Sequence, residues 1–481
     1  MENVHKRCRT KIIATIGPAC ADDCRLAELM EKGVDIFRLN FSHGNNNEKA
    51  EQMRRIRLLA RKHHKVIGVM ADLQGPKIRT GLLKNGAMKV VADQKLVLAS
   101  DMGTELVDAV PVNYKEFASD VTPGESIFID DGSIELKIEE IKGDKVLCRV
   151  LTGGIIQNHK GINLPNTNIS TPPLTDKDFI DIDFALENDF DFLALSFVRQ
   201  ASDIKLLKDL LLKKSKEIKV IAKIERPEAV AHFQDILAEA DGIMIARGDL
   251  GVEMRPEKVP LIQKELIRQC NRARKPVITA TQMLESMIGK PIPTRAETSD
   301  VANAIIDGTD AVMLSGETAI GLYPAEAVVF LTRIAMEVEC TILSAEFCQP
   351  SFQSNGQHST ISEAIGQAAC QVSQEINARA IVAFTQTGGT AALVSKKRPF
   401  APVFAITPFE KVRRQLTIFF GIQSFLVECT ENTEALIAAT EKLLLKQEIL
   451  KDGDTVVITM GSPISSYGTT NLLKVQVLKS E

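Results

Sequence analysis

The chain has 481 residues, which is too long for one compact core and predicts about two to four domains. Its apolar share of 44% and charged share of 25% are ordinary, and a net charge of −4 gives no indication of nucleic acid or an anionic membrane as partner. No segment approaches the about 20 apolar residues of a membrane span, and the nine cysteines form no CxxC pair. We therefore expect a cytoplasmic protein with reduced thiols and a small-molecule partner, without nucleic acid or membrane.

Short apolar runs alternate with amphipathic segments through much of the chain. Eight runs predict strands, at residues 11–17, 35–42, 66–73, 192–197, 219–225, 242–248, 276–281 and 311–316. Eight strands, each followed by a helix, are the α/β pattern of a closed (β/α)8 TIM barrel. An open, doubly wound sheet is the alternative.

Residues 75–171 interrupt this alternation between the third and fourth strands. They contain short strand patterns, for example 89–99, 126–130, 134–141 and 145–151, with turn signals at Asp131-Gly132 and Gly143-Asp144. The pattern predicts an inserted small β-barrel domain. Because this domain leaves the barrel at the C-terminal end of a strand, it lies on the catalytic face, where it can act as a lid.

A second α/β pattern follows a helix that we predict from near Pro324 to about Leu343. It comprises a helix at 361–376, strands at 380–385, 403–407 and 423–427, a helix at 433–445 and a strand at 455–460. We therefore predict four segments: 1–74 and 172–345 for the barrel, 75–171 for the lid, and 346–481 for a separate C-terminal α/β domain.

Charged side chains stand where the predicted barrel strands end. Lys223 and Glu225 end the fifth strand, and Asp249 follows the sixth. Neighbouring parallel strands lie about 5 Å apart, so Glu225 and Asp249 can share one small cation beside Lys223. Two carboxylates without a nearby His or Cys suit Mg²⁺ or Mn²⁺ better than zinc. A buried ion pair among the same residues is the alternative.

Arg38, Asn40 and Ser42 alternate along the second strand and therefore lie on one side of it. An arginine in an otherwise buried place indicates an anion, either phosphate or carboxylate. The sequence contains no GxGxxG, GxxxxGK[ST] or HExxH motif, which argues against Rossmann, P-loop and zinc-protease sites.

Six motifs in order resemble those of the pyruvate kinase family, and the resemblance covers nearly the whole chain. The motifs are RLNFSHG (38–44), GPKIRTG (75–81), AKIE (222–225), ARGDLG (246–251), ATQMLESM (280–287) and MLSGET (313–318). The resemblance implies a three-domain enzyme of glycolysis that transfers the phosphoryl group of phosphoenolpyruvate to ADP, giving pyruvate and ATP. It displaces the ion-pair reading of Lys223, Glu225 and Asp249.

The resemblance also implies a role for each matching residue. Glu225 and Asp249 are expected to bind Mg²⁺, and Lys223 and Arg38 to contact the phosphoryl group. Thr281 is expected to be catalytic as a proton relay and, with the peptide groups of Gly248 and Asp249, to bind the substrate carboxylate. The expected nucleotide contacts are Asn40, His43, Arg79 and Lys160.

This sequence departs from many family members at Lys77, where an acidic residue is common. Members with the acidic residue need K⁺, which binds groups that match Asn40, Ser42, Asp72 and the carbonyl of Leu73. Because an ammonium at Lys77 can replace the monovalent cation, as in members with lysine there, we predict that K⁺ is dispensable. Arg226 stands where Asn is common, and Asn166 where Gly is common; both bear on the lid hinge.

The C-terminal domain contains a loop with the composition of a phosphate site. Its expected contact residues are Thr385, Thr387, Gly388, Gly389 and Thr390. The matching loop of pyruvate kinases binds a phosphorylated effector, although an ordinary strand-to-helix turn is the alternative. The resemblance further implies a homotetramer joined through barrel and C-terminal faces.

Two other functions remain as alternatives at this point. Another metal-dependent barrel enzyme acting on pyruvate enolates, an aldolase or mutase, needs the Lys–Glu–Asp cluster but no ADP site, and Arg79 and Lys160 argue against it. An inactive metabolite sensor is disfavoured by the intact Lys223, Glu225, Asp249 and Thr281.

Overall fold

The computed structural model describes residues 8–100, 109–165, 167, 169–342, 360–428, 432–462 and 469–479. Eight parallel strands close into a barrel, with every strand beside its neighbours in sequence and the first paired with the eighth. They are Lys11–Thr15, Ile36–Asn40, Gly68–Asp72, Phe192–Leu195, Lys219–Ile224, Gly242–Ala246, Val277–Ala280 and Ala311–Leu314. The predicted TIM barrel is confirmed, and the open sheet is wrong. Each of the eight strands ends one or two residues before its predicted end, where the chain turns into a loop.

Helices surround the barrel, and four of them begin at a polar cap. Asp22, Asn45, Thr175 and Thr294 each accept a backbone N–H in the first turn of their helices. The helices are Asp23–Lys32, Asn46–Lys62, Asp176–Glu187, Ala201–Lys213, Pro227–Ala231, Phe233–Glu239, Arg247–Glu253, Val259–Arg272, Arg295–Asp307, Gly316–Ala319 and Pro324–Ile342, with 3₁₀ turns at Pro256–Lys258 and Glu285–Ile288. None of the described helices is long and apolar enough to cross a membrane.

The inserted domain consists of a six-stranded and a two-stranded sheet around one apolar core. Its strands are Ala87–Val90, Lys95–Ser100, Val110–Val112, Ser126–Ile129, Ile134–Lys142, Lys145–Thr152, Gly154–Gln157 and Ile162–Asn163, and Phe117–Asp120 is a short helix. The single strand predicted at 89–99 is wrong. A turn breaks it, with Asp93 at a φ of 64°, and the two halves join different sheets.

The C-terminal domain is a five-stranded sheet with helices on its faces. In spatial order the strands are Ile422–Leu426, Val403–Thr407, Ala380–Phe384, Thr455–Met460 and Leu472–Val477. The helices are Ile361–Glu375, Gly389–Ser395, Glu410–Gln415 and Thr433–Lys446, and Leu416–Ile418 is a 3₁₀ turn. The antiparallel last strand was not predicted. The fold class is confirmed; the domain boundaries stay predictions, and the boundary at 345–346 lies outside the described residues.

Ion pairs, two of them buried, attach the C-terminal domain to the N-terminal end of the barrel. Arg414 donates to Asp191 at 2.7 Å and to Asp189 at 2.6 Å, and Lys396 pairs with Asp310. Ile418 of the same domain packs into the apolar cluster that fills the barrel. The opposite, C-terminal ends of the strands are therefore left to form a site beneath the inserted domain.

Candidate active site

A buried cluster of charges lies where the third, fourth and fifth barrel strands end. The Lys223 ammonium lies 2.9 Å from the Glu225 carboxylate and 3.2 Å from that of Asp72. It also donates a hydrogen bond of 2.8 Å to the hydroxyl of Ser196. Burial alone would lower the pKa of Lys223, but the two carboxylates outweigh it and raise that pKa above its ordinary value. Lys223 therefore carries a stable positive charge.

Arg38 brings a second cation to the same cluster from the second strand. Its Nε donates to Asp72 at 2.6 Å, and its guanidinium also donates to the Thr15 hydroxyl at 3.0 Å. Burial would raise the pKa of Asp72, but Lys223 and Arg38 overcome it and keep that pKa below its ordinary value. Because Arg38 bonds Asp72 and Thr15 through two of its N–H groups, its remaining N–H groups can bind a further anion.

The two predicted metal ligands lie near each other. Glu225 is buried and accepts a hydrogen bond of 2.8 Å from the Phe197 N–H, while Asp249 lies in the first turn of its helix. Burial raises the pKa of Glu225; Lys223 opposes this, and repulsion from Asp249 adds to it. Two mutually repelling carboxylates fit a hard divalent cation. No group of three or more His, Cys, Asp or Glu in the described part of the chain could bind a metal, so a bound Mg²⁺ takes other ligands from water and substrate, as is usual for this ion.

Lys77 of the inserted domain contacts the barrel at this pair. Its ammonium lies 3.6 Å from the Asp249 carboxylate, and both side chains are about one-quarter exposed. A Cβ added at Gly161 would lie 3.3 Å from the Lys77 chain, so glycine there leaves room for the lysine. Lys77 therefore places its positive charge at the edge of the cluster rather than in solvent.

Thr281 directly follows the seventh strand in an unusual backbone conformation. Its φ is 65°, and that of Gln282 is 55°. The Thr281 hydroxyl accepts from the Gly248 N–H at 2.7 Å and donates to the Ala280 carbonyl at 2.6 Å. Arg247 donates to the carbonyls of Thr281 at 3.0 Å and Gln282 at 2.9 Å. These contacts fix the predicted proton relay beside the predicted carboxylate-binding peptide.

The predicted nucleotide residues lie only partly near one another. Burial first, then the positive charges of Arg79, Lys49, Arg38 and Lys77, lower the pKa of His43, so these charges lie within electrostatic range of it. The Arg79 guanidinium donates to the His159 carbonyl at 3.0 Å. Lys160 differs, because its ammonium pairs with Asp130 within the inserted domain at 2.9 Å.

The groups predicted as a monovalent-cation site, or its remnant, lie next to one another, and they already form hydrogen bonds or ion pairs within the protein. Asn40 and Asp72 face each other in the barrel register, and the Asn40 side chain accepts from the Ser42 N–H at 3.0 Å. The Leu73 carbonyl accepts from the Ser196 hydroxyl at 2.7 Å. Among the described contacts, the ionic partner of Lys77 is Asp249 rather than a member of this set.

Three supporting residues were not assigned a role from the sequence. The Thr15 hydroxyl accepts a hydrogen bond from Arg38. The only sequence feature that could have identified Thr15 is its position as a hydroxyl residue at the end of the apolar strand KIIAT. Arg247 anchors the Thr281 loop as described above. Glu317 is buried and accepts from the backbone N–H groups of Leu284 and Ser315, so it connects the loops after the seventh and eighth strands. A charged residue beside a glycine at a strand end was the available signal for Arg247 and Glu317.

A cavity of about 410 Å³ opens in the C-terminal domain at the predicted effector loop. Thr385, Thr387, Gly389 and Thr390 line it, whereas Gly388 lies in a left-handed turn with its N–H bonded to the Thr385 hydroxyl at 2.9 Å. The Thr390 and Thr470 hydroxyls lie 2.8 Å apart, which joins the loop to the segment before the last strand. The volume of the cavity is within the range of pockets that bind small metabolites.

Two family models together match most of the chain. The model "Pyruvate kinase, barrel domain" matches residues 7–328, and "Pyruvate kinase, alpha/beta domain" matches residues 363–476.

Curated relatives and a solved structure agree with these models. The chain is 42% identical to "Pyruvate kinase" of Geobacillus stearothermophilus over 98% of this chain and 80% of that protein. It is 41% identical to "Pyruvate kinase" of Clostridium perfringens over 97% of this chain and 99% of that protein. The crystal structure of a pyruvate kinase from Cryptosporidium parvum superposes with a TM-score of 0.92 at 37% identity, over 99% of this chain and 98% of that one. The chain belongs to the pyruvate kinase family.

Proposed function

We propose that the Lys223 cluster is the centre at which this enzyme performs the reaction of its family, the transfer of a phosphoryl group from phosphoenolpyruvate to ADP. The observation that supports this location best is the pairing of Lys223 and Arg38 with the single carboxylate of Asp72. Arg38 keeps N–H groups beyond those that bond Asp72 and Thr15, and Lys223 would be released from Glu225 when that carboxylate binds a cation, so both side chains are placed to bind an incoming phosphate. The aldolase or mutase alternative is not favoured by the family match.

Lys223 and Arg38 act on the phosphoryl group. During transfer, the bond from phosphorus to the enol oxygen breaks, and a bond to a terminal oxygen of ADP forms. Negative charge is spread over the equatorial oxygens of the transferring group, and the Lys223 ammonium and the Arg38 guanidinium neutralise it. Fixed charges or donors of this kind typically contribute roughly 3 kcal/mol each in a site closed to water.

Thr281 and the peptide groups of Gly248 and Asp249 act on the other end of the substrate. The peptide N–H groups and the Thr281 hydroxyl bind the carboxylate. Cleavage of the phosphorus–oxygen bond leaves an enolate, whose terminal carbon takes up a proton to give pyruvate. The Thr281 hydroxyl both accepts and donates a hydrogen bond, so it can belong to a chain that delivers this proton.

Glu225 and Asp249 would bind Mg²⁺ or Mn²⁺. When bound, the cation neutralises the substrate carboxylate and the developing enolate oxygen. Glu225 is fixed by the Phe197 N–H and by Lys223, which leaves Asp249 as the more adjustable ligand.

Asn40, His43, Arg79 and Lys160 contact the nucleotide in our proposal, and the inserted domain acts as the lid over it. The lysine–aspartate pair Lys77–Asp249 and the hydrogen bond of 2.8 Å from Asn163 to Glu253 support this, because both connect the inserted domain to the helix that carries Gly248. The family generally requires K⁺ as well as Mg²⁺; here the Lys77 ammonium makes K⁺ dispensable.

The C-terminal cavity binds a phosphorylated effector through Thr385, Thr387, Gly389 and Thr390 in our proposal. The hydroxyl groups that line the cavity support this.

We further propose that the enzyme works in the cytoplasm as a homotetramer. The tetramer rests on family resemblance, and sedimentation of the purified chain tests it.

The active-site assignment is tested by comparing Lys223→Met with Lys219→Met, since Lys219 is exposed at the other end of the same strand. The assay follows ATP and pyruvate formed from phosphoenolpyruvate and ADP with Mg²⁺. We expect kcat to fall at least about a hundredfold in Lys223→Met and to change little in Lys219→Met. Circular dichroism checks that both variants fold. Full activity in a folded Lys223→Met enzyme would disprove the assigned role.

A further inference from the structure

The Arg38 guanidinium is bonded by side chains from the strands on both sides of its own strand. Asp72 of the third strand accepts from its Nε at 2.6 Å, and Thr15 of the first strand accepts from its Nη1 at 3.0 Å. In the barrel register Thr15 lies directly opposite Arg38, and it is 3% exposed. Two neighbouring strands therefore determine where the guanidinium lies.

The Thr15 hydroxyl has a defined orientation. It donates its one proton to the Leu314 carbonyl at 2.8 Å. A carbonyl can only accept a hydrogen bond, and a guanidinium can only donate one. The hydroxyl between them therefore directs its proton to Leu314 and a lone pair to Arg38. An acceptor of fixed direction restricts the plane of the guanidinium that donates to it.

Thr15 is itself fixed where the barrel closes between the first and eighth strands. Its backbone N–H donates to the Thr318 hydroxyl at 3.0 Å, and its carbonyl accepts from the same hydroxyl at 2.9 Å. Close by, a Cβ added at Gly17 would overlap the Ala319 carbonyl, so glycine is needed for the two loops to approach. The barrel, rather than the substrate, therefore determines the position of the Thr15 hydroxyl.

The two partners of Arg38 differ in what their removal would change. Asp72 also lies 3.2 Å from the Lys223 ammonium, so a substitution at Asp72 affects both cations. Thr15 is uncharged, and its described side-chain hydrogen bonds are those with Arg38 and Leu314. Loss of the Thr15 hydroxyl therefore alters the placement of Arg38 and leaves the charge of the cluster unchanged.

We propose that Thr15 is a positioning residue for phosphoryl transfer, whose hydroxyl fixes the Arg38 guanidinium before the substrate binds. The N–H groups of Arg38 that bond neither Thr15 nor Asp72 are then held in one orientation for the phosphoryl group. A donor that is already in place avoids reorganisation during the reaction, and this is a large part of electrostatic catalysis. The inference rests on the proposed role of Arg38 and adds a residue that acts through it.

Thr15→Val and Thr15→Ser test this role, because valine keeps the branched shape and serine keeps the hydroxyl. The assay follows ATP and pyruvate formed from phosphoenolpyruvate and ADP with Mg²⁺. We expect kcat/KM for phosphoenolpyruvate to fall about tenfold to a hundredfold in the valine variant and less than about threefold in the serine variant. The KM for ADP should change less than about twofold in both, since Arg38 acts on the phosphoryl group of the other substrate.

Thr309→Val is the matched control. Thr309 is a buried threonine of the barrel whose hydroxyl also donates to a backbone carbonyl, that of Ala311 at 3.0 Å. It precedes the eighth strand and so lies at the opposite end of the barrel from Thr15. Its kcat/KM should equal that of the wild type. Circular dichroism checks that each variant folds, and Thr15→Ala, which removes the same hydroxyl, replaces a valine variant that does not.

A double-mutant cycle with Arg38→Met distinguishes positioning from a general packing role. If Thr15 acts through Arg38, adding Thr15→Val to Arg38→Met should lower kcat/KM by less than about twofold. The same loss in both backgrounds would overturn the proposal, as would a Thr15→Val enzyme with wild-type kcat/KM. In either case a large loss in Arg38→Met alone would leave the proposed role of Arg38 intact. Full activity of a folded Arg38→Met enzyme would instead disprove that role, and this inference with it.

Discussion

The Lys77 ammonium lies 3.6 Å from the Asp249 carboxylate, and this ion pair joins the inserted domain to a predicted metal ligand of the barrel. This contact has two consequences for the role of Lys77. It supplies a positive charge beside the proposed phosphoryl-transfer site, and it links the position of that charge to the position of the inserted domain.

Lys77→Gln should make the enzyme responsive to K⁺. The wild type should keep nearly full activity in Tris or Na⁺ buffers, because the Lys77 ammonium replaces the monovalent cation. Removing that charge should lower kcat/KM without K⁺ by about tenfold or more, and K⁺ should restore part of it. Initial rates with and without K⁺ give the measurement.

Lys84→Gln is the control for this experiment, since Lys84 is an exposed lysine of the inserted domain. It should remain as insensitive to K⁺ as the wild type. A wild-type enzyme that is inactive in Na⁺ or Tris and recovers fully with K⁺ would contradict the prediction.

The catalytic rate should depend more on the Thr281 hydroxyl than on the shape of the Thr281 side chain. Thr281→Val keeps the branched shape but loses the group that accepts from Gly248, whereas Thr281→Ser keeps the hydroxyl. We expect kcat to fall about a hundredfold in the valine variant and less than about tenfold in the serine variant, the usual range for a proton-transfer group. Steady-state rates measure both, and equal activity of the two variants would argue against a proton relay.

Buried cysteines should resist alkylation in the folded enzyme. Burial raises the pKa of Cys20 to about 11 and those of Cys148 and Cys270 to about 12, from an ordinary value of 9.0. Iodoacetamide at pH 8 should therefore modify the exposed Cys24 and Cys340 and spare these three, as peptide mass spectrometry can show.

The same shifts predict how stability changes in alkaline solution. The folded pKa values are raised, so the thiols contribute their full stability below pH 9.0 and lose it as the pH rises towards about 12. The urea midpoint should therefore fall between pH 8 and pH 10.5, and less so in a Cys148→Ala, Cys270→Ala double variant. Rapid alkylation of Cys270 in the folded state would contradict both expectations.

Apolar periodicity predicted the barrel well, because buried parallel strands such as Lys219–Ile224 are continuous apolar runs that end in charge. It did not predict Leu472–Val477, a half-exposed edge strand whose pattern reads LLKVQV. The strand ends predicted Lys223, Glu225 and Asp249 as neighbours, and the motifs supplied the other candidate site residues, but neither predicted that Lys77 pairs with Asp249. Whether Lys77 contacts Asp249 or solvent depends on how the inserted domain lies on the barrel, and local sequence does not encode that distance.

Arg226 connects the inserted domain to the barrel at the predicted hinge. Its buried guanidinium donates to the Leu164 carbonyl at 3.4 Å and the Thr167 carbonyl at 3.3 Å, and it pairs with Glu228 at 3.1 Å. Residues 164 and 167 lie where the chain leaves the inserted domain, so Arg226 ties that exit to the fifth barrel strand. Asn166, the other predicted departure at this hinge, lies outside the described residues.

Arg226→Asn should loosen the inserted domain, because asparagine is too short to bridge both carbonyls and Glu228. Loss of these charge-assisted hydrogen bonds should destabilise the closed position of the inserted domain by about 1–3 kcal/mol. We expect faster backbone hydrogen exchange across residues 109–165 and a KM for ADP that rises about threefold to tenfold. Arg255→Asn, at an exposed arginine of the barrel, is the control and should change neither quantity. Unchanged exchange in a folded Arg226→Asn enzyme would show that other contacts determine how the domain closes.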